Sequence, residues 1–156
     1  MKQVSRIKRI PVTKEGFEKL KKELEELQAS RPAAVKTLSE ARAMGDLSEN
    51  GLYTAAKARL RSIDSQLFRL DIQIKLADIQ DPSSKDEVGI GSTVIVNDGT
   101  IDKTFHIVGD YEADPLNGKI SQNSPLGRAL IGKKAGQEAE FHAPKGIIRF
   151  KILSIL

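Results

Sequence analysis

The chain has 156 residues, enough for one domain or two small ones, and 25 Lys or Arg against 21 Asp or Glu give it a net charge of +4. It has no cysteine, which excludes disulfides and cysteine-based zinc or nucleophilic sites, and its two separated histidines, His106 and His142, argue against a His-rich metal site. No apolar run approaches the roughly 20 residues that span a bilayer, and the N-terminus lacks a signal-peptide core. A cytoplasmic protein that does not contact membranes is expected.

The first predicted element is a long amphipathic helix that follows a basic, irregular lead-in. Thr13 is its predicted N-cap, and Glu15 lies in the first turn, where the helix dipole favours negative charge. Pro32 removes a backbone donor, so a kink or a short break is expected there, and Gly45 is the expected C-cap. Arg31 occupies the one heptad slot that is not apolar. The apolar heptad positions are Phe17, Leu20, Leu24, Leu27, Ala34, Leu38 and Ala41.

A second helix with the same apolar rhythm is predicted to begin within or just after Gly45 to Asn50. Its heptad positions are Ala56, Leu60, Ile63, Leu67, Leu70, Ile74 and Ala77. Paired across the turn, the two patterns are mirror images, as an antiparallel helical coiled-coil hairpin requires and a parallel dimer does not. Each arm of about 30 residues would be about 45 Å long at the 1.5 Å rise of an α-helix. Because the hairpin pairs with itself, a monomer is expected.

The predicted turn, residues 45 to 50, contains two acidic residues, Asp46 and Glu49. Two roles are possible for them. Asp followed three residues later by Glu resembles a capping box that starts the second helix. Alternatively, exposed carboxylates offer hard oxygen ligands for Mg²⁺, although two are too few to hold that ion without a partner's ligands. Both roles can coexist.

A composition change near Asp81-Pro82-Ser83-Ser84 predicts two domains, residues 1–81 and 82–156. The first contains 16 Lys or Arg against 12 Asp or Glu, and the second contains nine of each, so the whole excess of +4 lies on the hairpin. This bias fits contact with a polyanion such as RNA, and it equally fits a solvated helix surface.

Short β-branched or aromatic stretches predict a small, mainly antiparallel sheet in the second domain. They are residues 93–96, 105–108, 139–142 and 147–153, with a turn at 97–99 between the first two. A brief helix is predicted over 124–131, with Ser124 as N-cap and Pro125 at its first position. The fold class is therefore α+β, a helical hairpin plus a small antiparallel β-sheet domain. No catalytic constellation is visible in that domain, so its expected role is docking.

The chain resembles the bacterial Gre transcript cleavage factors over about residues 12–156, and specifically the GreA branch of that family. The hairpin motifs that carry the resemblance are Thr13-Lys14-Glu15-Gly16-Phe17, Leu20, Glu40-Ala41-Arg42, Gly45-Asp46-Leu47-Ser48-Glu49-Asn50 and Tyr53. Those of the second domain are Ile107-Val108-Gly109, Glu112-Ala113-Asp114, Ile120-Ser121 and Asn123-Ser124-Pro125-Leu126-Gly127-Arg128-Ala129-Leu130.

The resemblance implies a protein that binds bacterial RNA polymerase and is not itself an enzyme. An FKBP-like second domain would dock outside the secondary channel, and the hairpin tip would enter the channel. There the tip acids would share a Mg²⁺ with the polymerase active site, so that the polymerase hydrolyses the nascent RNA 3′ end of backtracked complexes. No tightly bound cofactor is implied.

Site residues follow from the resemblance position by position. Asp46 and Glu49 match the catalytic, metal-binding acids. Neighbours that shape the tip are Ser48, Asn50 and Tyr53. Basic positions near the RNA are Arg42 and Lys57, and the polymerase-docking loop is Asn123, Ser124 and Pro125. Capping or core packing is an adequate alternative explanation for Ser48, Tyr53 and the docking loop.

One departure concerns the flank of the tip, where Gly51-Leu52 replaces the Ala-Glu common in the family. A carboxylate is lost there, and a helical glycine costs about 0.5 to 1 kcal/mol relative to alanine. The departure leaves open an alternative function, a regulator that occupies the channel without stimulating cleavage. The implied FKBP-like fold also suggests a prolyl isomerase, although a fold does not carry an activity by itself.

Overall fold

The structure is a computed structural model that describes residues 9–44, 51–81, 86–144 and 146–156. The chain divides into two compact units. One is Glu18–Leu76, and the other combines Met1–Phe17 with Ala77–Leu156. No helix among the described residues is long and apolar enough to cross a membrane.

The first unit is a helical hairpin made from α2, Gly51–Leu76, and from α1, Lys14–Ala43, apart from the first turn of α1, which belongs to the second unit. The predicted heptad positions of both helices are buried or half-buried up to Ile74, while Arg31 is exposed. Arg31 is nevertheless paired across the hairpin, since its Nε lies 2.7 Å from Oδ1 of Asp64. The carboxylate of Asp64, as hydrogen-bond and charge partner, raises the pKa of Arg31 above its ordinary value. The antiparallel hairpin is confirmed.

Helix α1 runs through Pro32 without interruption, so of the kink or short break expected at that residue, the short break does not occur. Pro32 and Gln28, whose carbonyl would have accepted the missing bond, both lie on the exposed face of the helix. Water can therefore satisfy the carbonyl, and the buried heptad positions on either side keep the helical path. The helix ends at Ala43, and the predicted C-cap Gly45 lies outside the described residues.

The second unit is built on a five-stranded sheet with strand order β5-β4-β3-β7-β6. The strands are β3 Thr93–Asn97, β4 Asp102–Val108, β5 Lys119–Ser121, β6 Glu138–Ala143 and β7 Gly146–Ile155. All neighbours are antiparallel except β4 and β5, which are parallel. The short helix α3, Pro125–Leu130, precedes β6. The four predicted strands and the helix are confirmed, whereas β5 was missed because three residues carry too little pattern.

The core of this unit lies between the sheet and α3. Its fully buried members include Val94, Ile107, Leu130 and Ile152, each with 0% of its surface exposed. Phe150 adds an edge-to-face contact with Phe105, with ring centroids 5.8 Å apart. The turn at 97–99 is closed by side chains, since Asn97 Oδ1 accepts from Gly99 N at 2.7 Å. The prediction of an α+β fold is therefore confirmed.

A second, two-stranded sheet joins the segments that flank the hairpin. Strand β1, Ile10–Val12, pairs in parallel with β2, Ala77–Ile79. The prediction that Ala77 is the last heptad position of the second helix is therefore wrong, because α2 ends at Leu76. Pairing with β1 holds the backbone at Ala77 in an extended conformation. The pairing continues beyond β2, because Gln80 N donates to Val12 O at 2.8 Å. Val12 is 1% exposed, so this pairing is part of the unit's interior.

Candidate functional site

The acidic turn that connects α1 and α2 falls outside the described residues. This applies to four predicted site residues, Asp46, Ser48, Glu49 and Asn50. Among residues 9–44, 51–81, 86–144 and 146–156, no three His, Cys, Asp or Glu side chains gather in a way that could hold a metal ion. The predicted Mg²⁺ ligands remain a prediction from the sequence.

The residues that flank the turn carry basic and apolar side chains. Arg42 is exposed in the last turn of α1, where a cation interacts favourably with the helix dipole. Lys57 is exposed near the start of α2, and its Nζ lies 5.7 Å from the ring centroid of Tyr53. That distance is within the range of a cation–π contact, so the half-buried Tyr53 orients the cation. Tyr53 therefore contacts Lys57 and is itself half-buried.

Two exposed apolar side chains also flank the turn. Met44, directly after α1, is 70% exposed, and Leu52, in the first turn of α2, is 66% exposed. Leu52 was singled out from the sequence as a departure from the family pattern, whereas Met44 was missed. A single methionine at the end of a heptad pattern gives no signal that separates it from a core residue. Gly51 begins α2, and a Cβ added there would meet no atom within 4 Å.

The predicted docking loop is held by a network of hydrogen bonds. Ser124 caps α3, because its Oγ accepts from Gly127 N at 2.9 Å and donates to Ser121 O at 2.7 Å. Asn123 N donates to Ser121 Oγ at 3.0 Å. The capping alternative is therefore correct for Ser124, and it does not exclude docking, since Asn123 and Pro125 remain exposed.

Asp110 is the residue of this loop that sequence reasoning missed. Its carboxylate accepts from the hydroxyl of Ser121, and its other oxygen accepts from Asn123 Nδ2 at 2.8 Å. It lies 13 residues before Asn123, in a 3-10 helix at Asp110–Glu112, so no local pattern connects the two. The side chain of Asn123 is thereby oriented before any partner binds.

The Glu112-Ala113-Asp114 run contributes two further structural carboxylates. Asp114 Oδ2 accepts from Asn117 Nδ2 at 2.7 Å, and this bond lowers the pKa of Asp114 below its ordinary value. Backbone bonds of 2.9 and 3.0 Å between Asp114 and Lys119 close the loop that leads into β5. Glu112 instead contacts the start of α1, with Oε1 accepting from Thr13 N at 2.8 Å.

The architecture defines a class of proteins that combine a helical hairpin, whose two helices are connected by an acidic sequence, with a small α+β domain that presents a hydrogen-bonded loop. Two family descriptions match the chain, "Transcription elongation factor, N-terminal" over residues 10–79 and "Transcription elongation factor, GreA/GreB, C-term" over residues 83–156. The chain belongs to the GreA/GreB family of transcription elongation factors.

Curated relatives agree with this assignment. The chain is 45% identical over 152 residues to transcription elongation factor GreA of Thermodesulfovibrio yellowstonii, covering 94% of this chain and 96% of the relative. It is 46% identical over 153 residues to GreA of Streptococcus uberis, covering 95% and 96%. Among solved structures, the GreA factor homolog 1 (Gfh1) protein of Thermus thermophilus matches with a TM-score of 0.45 and 29% identity, covering 95% of this chain and 99% of that one.

Proposed function

We propose that this protein is a transcription elongation factor that binds bacterial RNA polymerase and stimulates the polymerase's own cleavage of the nascent RNA in backtracked complexes. The observation that carries the proposal is family membership over both parts of the chain, residues 10–79 and 83–156. The protein acts on the hydrolytic activity of its partner and does not cleave RNA alone. It works in the cytoplasm, as a monomer.

The two parts of the chain have separate roles in this proposal. Residues 1–81 form the hairpin that enters the secondary channel, and residues 82–156 form the FKBP-like domain that docks on the polymerase. The bounds of the two family matches support a division at that point. Asn123, Ser124 and Pro125 make the docking contact, and the bonds from Asp110 and Ser121 hold the loop in one conformation. A preorganised loop loses less conformational entropy on binding than a mobile one.

The tip residues act at the polymerase active site. Asp46 and Glu49 contribute oxygen ligands to a Mg²⁺ shared with the polymerase, and such an ion, when bound, lowers the pKa of a coordinated water. Ser48, Asn50 and Tyr53 shape the tip, and Arg42 and Lys57 lie near the RNA phosphates. Contacts of lysine or arginine with phosphates carry little sequence information, so they would serve any transcript.

The test is transcript cleavage in a backtracked polymerase complex with the double variant Asp46→Asn, Glu49→Gln. Cleavage should need Mg²⁺ and should be lost in the variant, while affinity for polymerase, measured by competition with labelled wild type, stays within about twofold. The matched control is Glu23→Gln, Glu25→Gln, which removes two exposed carboxylates from α1 away from the turn. Undiminished cleavage by the tip variant would refute the assignment of these acids.

A second candidate function is a polymerase regulator that occupies the channel without promoting cleavage. The exposed Leu52 in the first turn of α2 favours it, because the family commonly has a carboxylate there. The same transcript-cleavage assay distinguishes the two candidate functions. If wild-type protein binds backtracked complexes and leaves the RNA length unchanged at all Mg²⁺ concentrations, the regulator is correct and the cleavage factor is not.

A further inference from the structure

The N-terminus of α1 is capped by a carboxylate 99 residues away in the chain. Glu112 Oε1 accepts from Thr13 N at 2.8 Å, and Oε2 accepts from the hydroxyl of Thr13. The oxygen of that hydroxyl accepts in turn from Gly16 N at 3.0 Å. Thr13 is therefore the N-cap that the sequence predicts, and Glu112 places a negative charge at the positive end of the helix dipole.

Two glycines allow this contact to form. A Cβ at Gly16 would lie 2.1 Å from Cδ of Glu112, and a Cβ at Gly109 would lie 2.3 Å from the carbonyl oxygen of Pro11. Both distances are far below van der Waals contact. A side chain at Gly109 would force the two backbone segments apart, and a side chain at Gly16 would displace the carboxylate of Glu112 from its present position. Gly109 also accepts through its carbonyl from Glu112 N at 3.1 Å. These glycines belong to the Thr13–Phe17 and Ile107–Gly109 motifs, for which neither docking nor cleavage supplies a reason.

The same region holds the two ends of the hairpin together. Strand β1 leads into α1, β2 follows α2, and the two strands are paired over three residues each. Val12, directly before the capped turn, is 1% exposed. Glu112 therefore lies beside a place where the segment that leads into α1 is held within the sheet-containing unit.

We propose that Glu112 is a positioning residue for transcript cleavage, which holds the N-cap and first turn of α1 in place within the sheet-containing unit. The inference rests on the proposed function. Helix α1 continues from that first turn without interruption over 30 residues, so loss of the capping bonds disturbs the start of the element that leads towards the acidic residues. Catalytic groups misplaced by about 1 Å can lose about a hundredfold in rate. Loss of the bonds between Glu112 and Thr13 therefore lowers the rate of transcript cleavage even when docking on the polymerase is intact.

The first measurement is hydrogen exchange on the full chain, comparing wild type with Glu112→Ala, Glu112→Gln and Thr13→Val. In Glu112→Ala, the amide of Thr13 loses its acceptor and should exchange at least about tenfold faster, and the amide of Gly16, bonded to the Thr13 hydroxyl, should exchange faster because that hydroxyl is no longer held by Glu112, while Ile107 in the sheet keeps its protection. Glu112→Gln retains an acceptor oxygen and should restore most of the protection. Glu87→Gln is the matched control, since it removes an exposed carboxylate of the same unit.

The second measurement is cleavage in backtracked complexes as a function of protein concentration. Glu112→Ala should lower the saturating rate about tenfold and leave the half-saturating concentration within about twofold, whereas a loss of docking would raise that concentration. Glu112→Gln should recover most of the rate. The inference is overturned if Glu112→Ala matches wild type in saturating rate, or if its exchange at Thr13 and Gly16 is unchanged.

Failure of the proposed function gives a different result. In that case wild-type protein stimulates no cleavage, and the exchange measurement alone decides whether Glu112 fastens α1. If Glu112→Ala does not fold, Thr13→Val takes its place, because it keeps the backbone donor and removes only the hydroxyl that links Gly16 to Glu112. A rate and an exchange pattern equal to wild type in Thr13→Val would then refute the inference.

Discussion

Gly127 lies where α3 packs against the docking loop, and alanine at this position should displace that loop. The added Cβ would lie 2.0 Å from the carbonyl oxygen of Ser121 and 2.9 Å from its carbonyl carbon. A comfortable carbon–oxygen contact is about 3.3 Å, so the backbone of Ser121 must move by about 1.3 Å. That movement breaks the bond from Ser124 Oγ to Ser121 O, now 2.7 Å long.

The magnitude follows from three terms. Overpacking against backbone costs about 1–3 kcal/mol, and weakening the Ser124 cap costs about 1 kcal/mol. Replacing glycine by alanine within a helix stabilises the folded state by about 1 kcal/mol. We therefore expect Gly127→Ala to lower the free energy of unfolding of the sheet-containing unit by about 1–3 kcal/mol. Polymerase affinity should fall as well, because the loop that carries Asn123 and Pro125 is displaced.

The assay is urea unfolding followed through the NMR amide signals of β4, which report the sheet-containing unit separately from the hairpin. The matched control is Gly89→Ala, in the same unit, where an added Cβ meets nothing within 4 Å and φ is not positive. It should change stability by less than about 0.5 kcal/mol. If the two variants unfold at the same urea concentration, the close approach of Gly127 to Ser121 does not constrain the loop and the reasoning is wrong.

Two further predictions concern the start of α2 and the turn before β4. Gly51→Ala should stabilise the hairpin by about 0.5–1 kcal/mol, measured by urea unfolding and circular dichroism, because alanine fits there without contacts; an unchanged midpoint would contradict this. Lys103 and the hydroxyl of Thr100 hold the pKa of Asp98 well below its ordinary value, so its stabilisation is present above about pH 4 and is lost as pH falls towards that lowered pKa. Asp98→Asn should therefore flatten the acid limb of the thermal-unfolding profile, and an unchanged limb would refute the assignment.

The hairpin could be predicted because its information is local and repeated. Apolar residues at spacings of three and four recur along both arms, and their mirror symmetry about the turn specifies an antiparallel pairing. Two details of the hairpin depend on the surroundings of a single residue. Pro32 leaves the carbonyl of Gln28 without a helical donor on the exposed face, so the helix continues without a break. Ala77 fits the heptad rhythm, but its backbone pairs with Ile10 in a strand.

The candidate site could be predicted in part. Ser124 followed by Pro125 is a strong local signal for a capped helix, and the structure has it. Asp110 could not be found in this way, because the bonds that join it to Ser121 and Asn123 connect residues that are close in space and distant in sequence. The exposed Met44 was missed for a related reason, since exposure is decided by what packs nearby.

By itself the sequence determined the two helices, their antiparallel pairing, the main strands and the capped helix α3, since each depends on patterns within a few turns of the chain. The tertiary structure alone decided how β1 pairs with β2, that Gly16 and Gly109 are places of close approach, and that Glu112 caps a helix 99 residues away. Periodicity records which face of a segment is buried. It does not record which distant segment buries it, and contacts such as that of Glu112 with Thr13 depend on that choice.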